Sequence, residues 1–150
     1  MEYAGSYRYF TYASWILAAA SALLTLVPFL YIWRIIRDVL EVAPNYGEAV
    51  NIPHYGWMAV LFAIVAYLVY ICALLCSHMS AFRVSTNLRL ETANHLAKLP
   101  LGFTETFGSG KLRKIIQEST GAAETYLAHQ LPDKYSAIAT PVGLLVLLFV

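Results

Sequence analysis

The sequence predicts an all-α membrane protein whose long transmembrane helices extend into a polar helical hairpin. Three observations carry that expectation. Hydrophobic residues make up 59% of the chain and charged residues 13%, where a soluble domain carries about 25% charged residues. Two runs, residues 9–33 and 53–82, contain no Lys, Arg, Asp or Glu, and each exceeds the roughly 20 residues needed to cross a bilayer. Between the second run and a third apolar segment lies a polar insert, residues 83–134, which holds seven of the ten Lys and Arg residues.

The lead-in, residues 1–8, carries Tyr3 and Tyr7 with only Glu2 and Arg8 charged, and leads on to Tyr9, Phe10 and Tyr12. Such aromatic enrichment suits the headgroup layer and reads as an interfacial elbow. A cleaved signal peptide would have a basic start, a short apolar centre and a small-residue cleavage site. The first span is expected over 9–36. Within it, the run Ala18 to Ala22 offers a small surface for a neighbouring helix. Pro28 removes a backbone donor and predicts a kink near Leu24.

Residues 37–53 form a short, slightly acidic outer loop punctuated by Pro44 and Pro53. The second span, 54–82, is longer than the hydrocarbon core requires and must tilt or project beyond it. Its Leu, Ile, Val and Phe residues favour insertion by roughly 3 to 6 kcal/mol, with no charge to offset them. Ala59, Ala63, Ala66, Ala73, Ser77 and Ala81 recur at spacings of helical packing. The third apolar segment, 135–150, is short for a span and contains Pro141; a carboxylate left within the bilayer at Val150 would be costly, so the 150 residues read as a fragment of a longer polypeptide.

The basic residues of the insert, set against two bases and three acids near the first loop, place the amino terminus and residues 83–134 in the cytoplasm by the positive-inside bias. In the insert, Val84, Leu88, Thr92, His95, Leu96 and Leu99 recur at helical spacing, so the second span continues as a stalk over 83–99. Pro100 and Gly102 end that pattern, and the sequence FTETF precedes a turn at Gly108 to Gly110. A second stalk, 111–134, carries Leu112, Ile115, Ile116, Ser119, Ala122, Ala123, Tyr126 and Leu127 on one stripe, with Ser109 as a candidate cap. Two such helices run antiparallel would stand about 25–30 Å off the membrane. A rod tipped by Phe103 and Phe107 suits docking into a groove on a soluble partner.

Several chemistries are disfavoured. A net charge of +1 with dispersed bases argues against nucleic-acid binding. The GSGK at Gly108 to Lys111 lacks the glycine and hydroxyl positions of a phosphate-binding loop and follows no strand. Cys72 and Cys76 share one helix face in an apolar run and read as reduced packing residues. His54, His78, His95 and His129 are dispersed without metal-ligand spacing. No catalytic arrangement and no metal site emerge.

The run HLAKLPLGFTETFGSGKLRKII, with Leu99, Pro100, Phe103, Gly110 and Leu112, resembles the first intracellular loop of exporter-type ATP-binding cassette transporters. The order of elbow, first span, outer loop, second span, stalk and returning third span is similar across essentially the whole chain. The resemblance implies the first part of a transmembrane domain that works as a dimer of half-transporters, coupling ATP hydrolysis to substrate movement. It implies a coupling segment at 100–110, with Leu101, Phe103, Thr104, Glu105, Phe107 and Gly108 facing a nucleotide-binding domain. ATP and magnesium belong to that domain, fused or separate, so these 150 residues alone are expected to have no ATPase activity. The implied setting is a bacterial plasma membrane, with the lipid bilayer and a second half-transporter as partners. Where the family often has an Arg and an Asn-Asp pair after the Gly-x-Leu element, this chain has Ile115, Glu118 and Ser119. The alternative is a membrane adaptor or channel subunit whose stalk docks a soluble partner.

Overall fold

A computed structural model of the chain describes residues 5, 7–45 and 50–149. Most of the expected elbow, residues 1–4 and 6, lies outside the described residues, as do 46–49 of the outer loop and Val150. The described chain is helical: α1 (Arg8–Leu24), α2 (Val27–Glu41), α3 (Ile52–Leu96), α4 (Leu101–Phe107), α5 (Ser109–Thr125), a π turn (Tyr126–Gln130) and α6 (Leu131–Leu148). Three stretches, Arg8–Glu41, Ile52–Leu96 and Ser109–Leu148, are long and apolar enough to cross a membrane.

The break between α1 and α2 follows from Pro28, whose missing N–H cannot serve the Leu24 carbonyl. The chain tightens there: Leu26 N donates to Leu23 O at 3.1 Å and Phe29 N to Leu26 O at 3.1 Å, three-residue bonds in place of four-residue ones. Thr25 Oγ1 donates to Ser21 O at 2.8 Å. In contrast α3 runs 45 residues without interruption, about 68 Å at 1.5 Å per residue. Its apolar half and its polar half are therefore one rigid element.

Helix α1 packs along α3 on one side and α6 on the other, while α6 barely touches α3. The residues that close these contacts are small. Thr11, Ser14, Ala18 and Ser21 form the buried stripe of α1, and Ala66, Ala73, Ser77, Ser80, Ala81, Val84 and Ser85 form that of α3. The largest fully buried side chains are serines, whereas Trp57, Ile16, Leu61 and Leu148 point outward. Large apolar groups facing outward around a core of small residues is the arrangement expected when the surroundings are lipid and helices associate by close approach. Of the small residues expected to pack, Ala66, Ala73, Ser77 and Ala81 do so, while Ala63 is exposed.

Hydroxyls in this interior need partners, since lipid supplies none. Thr11 and Ser80 hydrogen-bond to each other across the α1–α3 interface. Ser14 Oγ donates to Thr11 O at 2.7 Å, and Ser136 Oγ of α6 donates to Ala18 O of α1 at 3.1 Å. Trp15 stacks on Tyr135 with ring centres 4.8 Å apart, joining the same two helices. Gly143 permits the approach of α6 to the end of α1. A Cβ there would lie 2.6 Å from Leu26 Cδ1 and 2.7 Å from Leu23 Cδ2.

The π turn has a local chemical cause. Leu131 N donates five residues back to Tyr126 O, and Pro132 has no N–H to offer. The carbonyls of Leu127 and Ala128 are served instead by α3: Ser77 Oγ lies 2.6 Å from Ala128 O and 3.1 Å from Leu127 O. Below this point α5 packs on α3; beyond it α6 packs on α1. The helix changes partner where its hydrogen-bond ladder slips.

Two local expectations are corrected. Ser109 lies within α5 and caps nothing; Gly108 occupies the cap position at φ 73°, ψ 135°, without a side-chain cap bond. Cys72 is exposed and Cys76 only half-buried, so Cys72 faces away from the helix contacts.

Candidate functional site

The stalk is built from the polar half of α3 and the antiparallel α5. Leu112, Ile116, Ala123 and Leu127 are half-buried and Thr120 is buried, whereas Ile115, Ser119, Ala122 and Tyr126 are exposed. The packed stripe thus covers only part of the one expected from sequence and is centred on Thr120, a residue the apolar pattern passes over. Thr120 accepts a hydrogen bond from Arg89 Nε at 3.0 Å and donates to the Ile116 carbonyl at 2.8 Å. The Arg89 guanidinium also reaches Glu124 at 3.7 Å. Towards the tip the two helices separate, leaving an open apolar groove of about 610 Å³ lined by Ala93, Leu96, Leu112 and Ile116 with Arg89 and Arg113.

At the tip, Pro100 ends the α3 segment and α4 follows as a seven-residue helix, Leu101–Phe107. It packs on α5. Thr106 Oγ1 donates to Gly102 O at 2.7 Å, a bond within α4. The positive φ of Gly108 lets the chain reverse directly into α5. Of the candidate docking residues, the side chains of Leu101, Phe103 and Thr104 lie outside the described residues. Glu105, Phe107 and Gly108 are exposed on the tip, and Lys111 Nζ sits 5.8 Å from the centre of the Phe107 ring. The tip therefore presents apolar, hydroxyl, acidic and basic groups on one short helix and its turn.

A second feature was not expected from sequence. Around the α1–α2 break, a cleft of about 590 Å³ opens between α1, α2, α3 and α6. Its wall is apolar with hydroxyls from Thr25, Tyr67, Tyr70 and Thr140. Thr25, Leu26, Pro28 and Phe29 at the break form part of that wall. The dispersed histidines also gain a relation that spacing could not reveal: His78 and His129 meet with ring centres 4.9 Å apart. Among the described residues no three His, Cys, Asp or Glu side chains gather as a metal site.

Long apolar helices that continue unbroken into a polar hairpin, closed by a short helix at its tip, define an integral membrane protein of the transporter membrane-domain class. Comparison with known proteins narrows this. The chain is 32% identical over 137 residues to the mycobactin import ATP-binding/permease protein IrtA of Mycobacterium tuberculosis, a match covering 91% of this chain and 16% of that protein. It is 30% identical over 137 residues to the protein of the same name in Mycolicibacterium thermoresistibile, covering 91% and 15%. With the Mycolicibacterium smegmatis protein of that name it shares 33% over 73 residues, or 49% and 8%. No protein-family profile matches the chain, and no solved structure does. The chain belongs to the ATP-binding cassette transporters, as part of a transmembrane domain. It spans about one-sixth of the length of the relatives it matches.

Proposed function

We propose that this chain supplies part of the translocation pathway of an ATP-driven transporter and carries the tip through which nucleotide-binding domains move it. The single observation that supports this most is the continuity of α3, one helix from its apolar half to the foot of α4. A rigid rod transmits displacement at one end to the other without local bending. In this reading Leu101, Phe103, Thr104, Glu105, Phe107 and Gly108 seat in a cleft of a nucleotide-binding domain, which holds ATP and magnesium in residues of its own. The segments divide as 1–8 elbow, 9–36 first span, 37–53 outer loop, 54–82 second span, 83–99 and 111–134 stalk, 100–110 coupling segment and 135–150 third span. The amino terminus and 83–134 lie in the cytoplasm, in keeping with the positive-inside bias. A second half-transporter completes the pathway.

The names of the relatives speak of mycobactin import, and we take a mycobactin-class ligand moving inward as the substrate reading for the whole protein. Transport then proceeds by switching between states that bind the ligand differently. In the full-length protein, Phe103→Ala combined with Phe107→Ala is expected to leave ATP hydrolysis running while ligand uptake falls. Uptake into proteoliposomes, measured alongside phosphate release, tests it. Uptake at the wild-type level would refute the coupling role of the tip; normal coupling with no transport of a mycobactin would refute only the substrate.

A further inference from the structure

We propose that Arg8 of α1 and Arg83 of α3, together with Tyr7, form a binding site for the headgroup of an anionic phospholipid at one boundary of the membrane. The charge-free run 9–33 begins directly after Arg8, and the charge-free run 53–82 ends directly before Arg83. A helical turn inside both arginines, the two spans are tied by the Thr11–Ser80 hydrogen bond. The two guanidinium groups therefore stand at the same end of the spans and at the same depth. Long basic side chains at the limit of an apolar run carry their charge into the headgroup layer, where aromatic residues such as Tyr7 and Tyr9 also settle.

Both side chains are arranged to receive an anion. Arg83 lies over the Tyr7 ring, its guanidinium carbon 4.9 Å from the ring centre, and Nη2 donates to Tyr7 Oη at 3.3 Å. Tyr7 accepts that bond and keeps its own O–H to donate. Arg8, the next residue, rests on Tyr9 in a similar way, 5.2 Å from the ring centre with Nη2 3.3 Å from Tyr9 Oη. These contacts leave most N–H donors of each guanidinium unused, in a planar fork that matches phosphate oxygens. Among the described residues no carboxylate claims them, since the ion pairs there are Arg37–Glu41, Arg89–Glu124 and Lys114–Glu118. Both arginines are exposed. Positive charge without a protein counter-charge, held at headgroup depth, is complementary to an anionic lipid rather than a zwitterionic one. A lipid held by both arginines joins the start of α1 to the point where α3 leaves its apolar half. The inference needs only that the spans cross the bilayer, and it stands whether or not the transport reading does.

The test uses purified full-length protein in neutral detergent, titrated with phosphatidylglycerol, phosphatidylcholine or inorganic phosphate and followed by native mass spectrometry and thermal midpoint. Phosphatidylglycerol should bind more tightly than phosphatidylcholine and raise the midpoint, and added salt should weaken that preference. Arg8→Gln and Arg83→Gln should each reduce the preference about fivefold. Arg83→Lys, which keeps the charge and loses the fork, should reduce it less, and Lys114→Gln should leave it at the wild-type level. A wild type without the preference, or both glutamine variants with the full preference, would overturn the proposal. Displacement of the lipid by an equal concentration of inorganic phosphate would assign the site to a soluble anion and overturn it as well. A measurement on the unaltered protein covers the case in which a variant does not fold. Phosphatidylglycerol with a photoreactive headgroup should crosslink to peptides holding Tyr7 and Arg8 or Arg83, and labelling confined to other peptides would sink the site.

Discussion

The two halves of α3 meet their neighbours in opposite ways. Its apolar half buries Ala66, Ala73, Ser77, Ser80 and Ala81, each nearly inaccessible, with the Thr11–Ser80 bond crossing to α1 and the Ser77 bond to the Ala128 carbonyl crossing to the π turn. Its polar half touches α5 mainly around Thr120, and farther out the helices part around a groove of about 610 Å³. Close approach of small residues makes the first contact intolerant of volume. The second is held by a few polar side chains that water can replace. One helix thus combines a seat in the membrane with an arm that can shift relative to its neighbour at little cost.

Substitutions that exploit this contrast should differ widely in effect, read as stability of the detergent-solubilised full-length protein in graded denaturant. Ala73→Leu forces extra volume into the tightest contact, where Ala73 is 1% exposed, and should cost about 3 kcal/mol or prevent folding. Ser77→Ala leaves the Leu127 and Ala128 carbonyls without their cross-helix donor and should cost about 1–2 kcal/mol. Arg89→Ala, in the arm, removes the bond to Thr120 and the partly exposed pair with Glu124, and about 0.5–1 kcal/mol is expected. Lys114→Ala removes an exposed pair with Glu118 on α5 and should stay within about 0.5 kcal/mol. Equal losses for Ala73→Leu and Arg89→Ala would erase the distinction between seat and arm.

Much of this fold is legible in the sequence because hydrocarbon leaves a blunt signature. Charge-free runs locate the helices, Pro28 marks the break that ends α1 at Leu24, and Pro100 precedes the tip helix. Which face of a helix packs is harder to read. Ala63 carries the same small side chain as Ala66 and lines the same cleft, yet it is exposed while Ala66 is buried. On α5 the hydroxyl of Thr120 conceals a buried position, since a Thr that satisfies itself on the Ile116 carbonyl packs like an apolar residue. Contacts such as His78 with His129, or Ser77 with Ala128, depend on how two distant helices are docked. No spacing rule within either helix contains that information.

The π turn has a consequence best stated as phase. One residue beyond the α-helical count advances the chain by about 100° around the helix axis at 3.6 residues per turn. Everything after Gln130 is therefore out of phase with α5 by roughly a quarter of a revolution. Deleting a single residue from Tyr126–Gln130 would restore an even helix and leave Tyr135, Ser136 and Gly143 turned towards α1, because the residue removed cancels the lag the π turn absorbs, whereas inserting one there would turn all three away together.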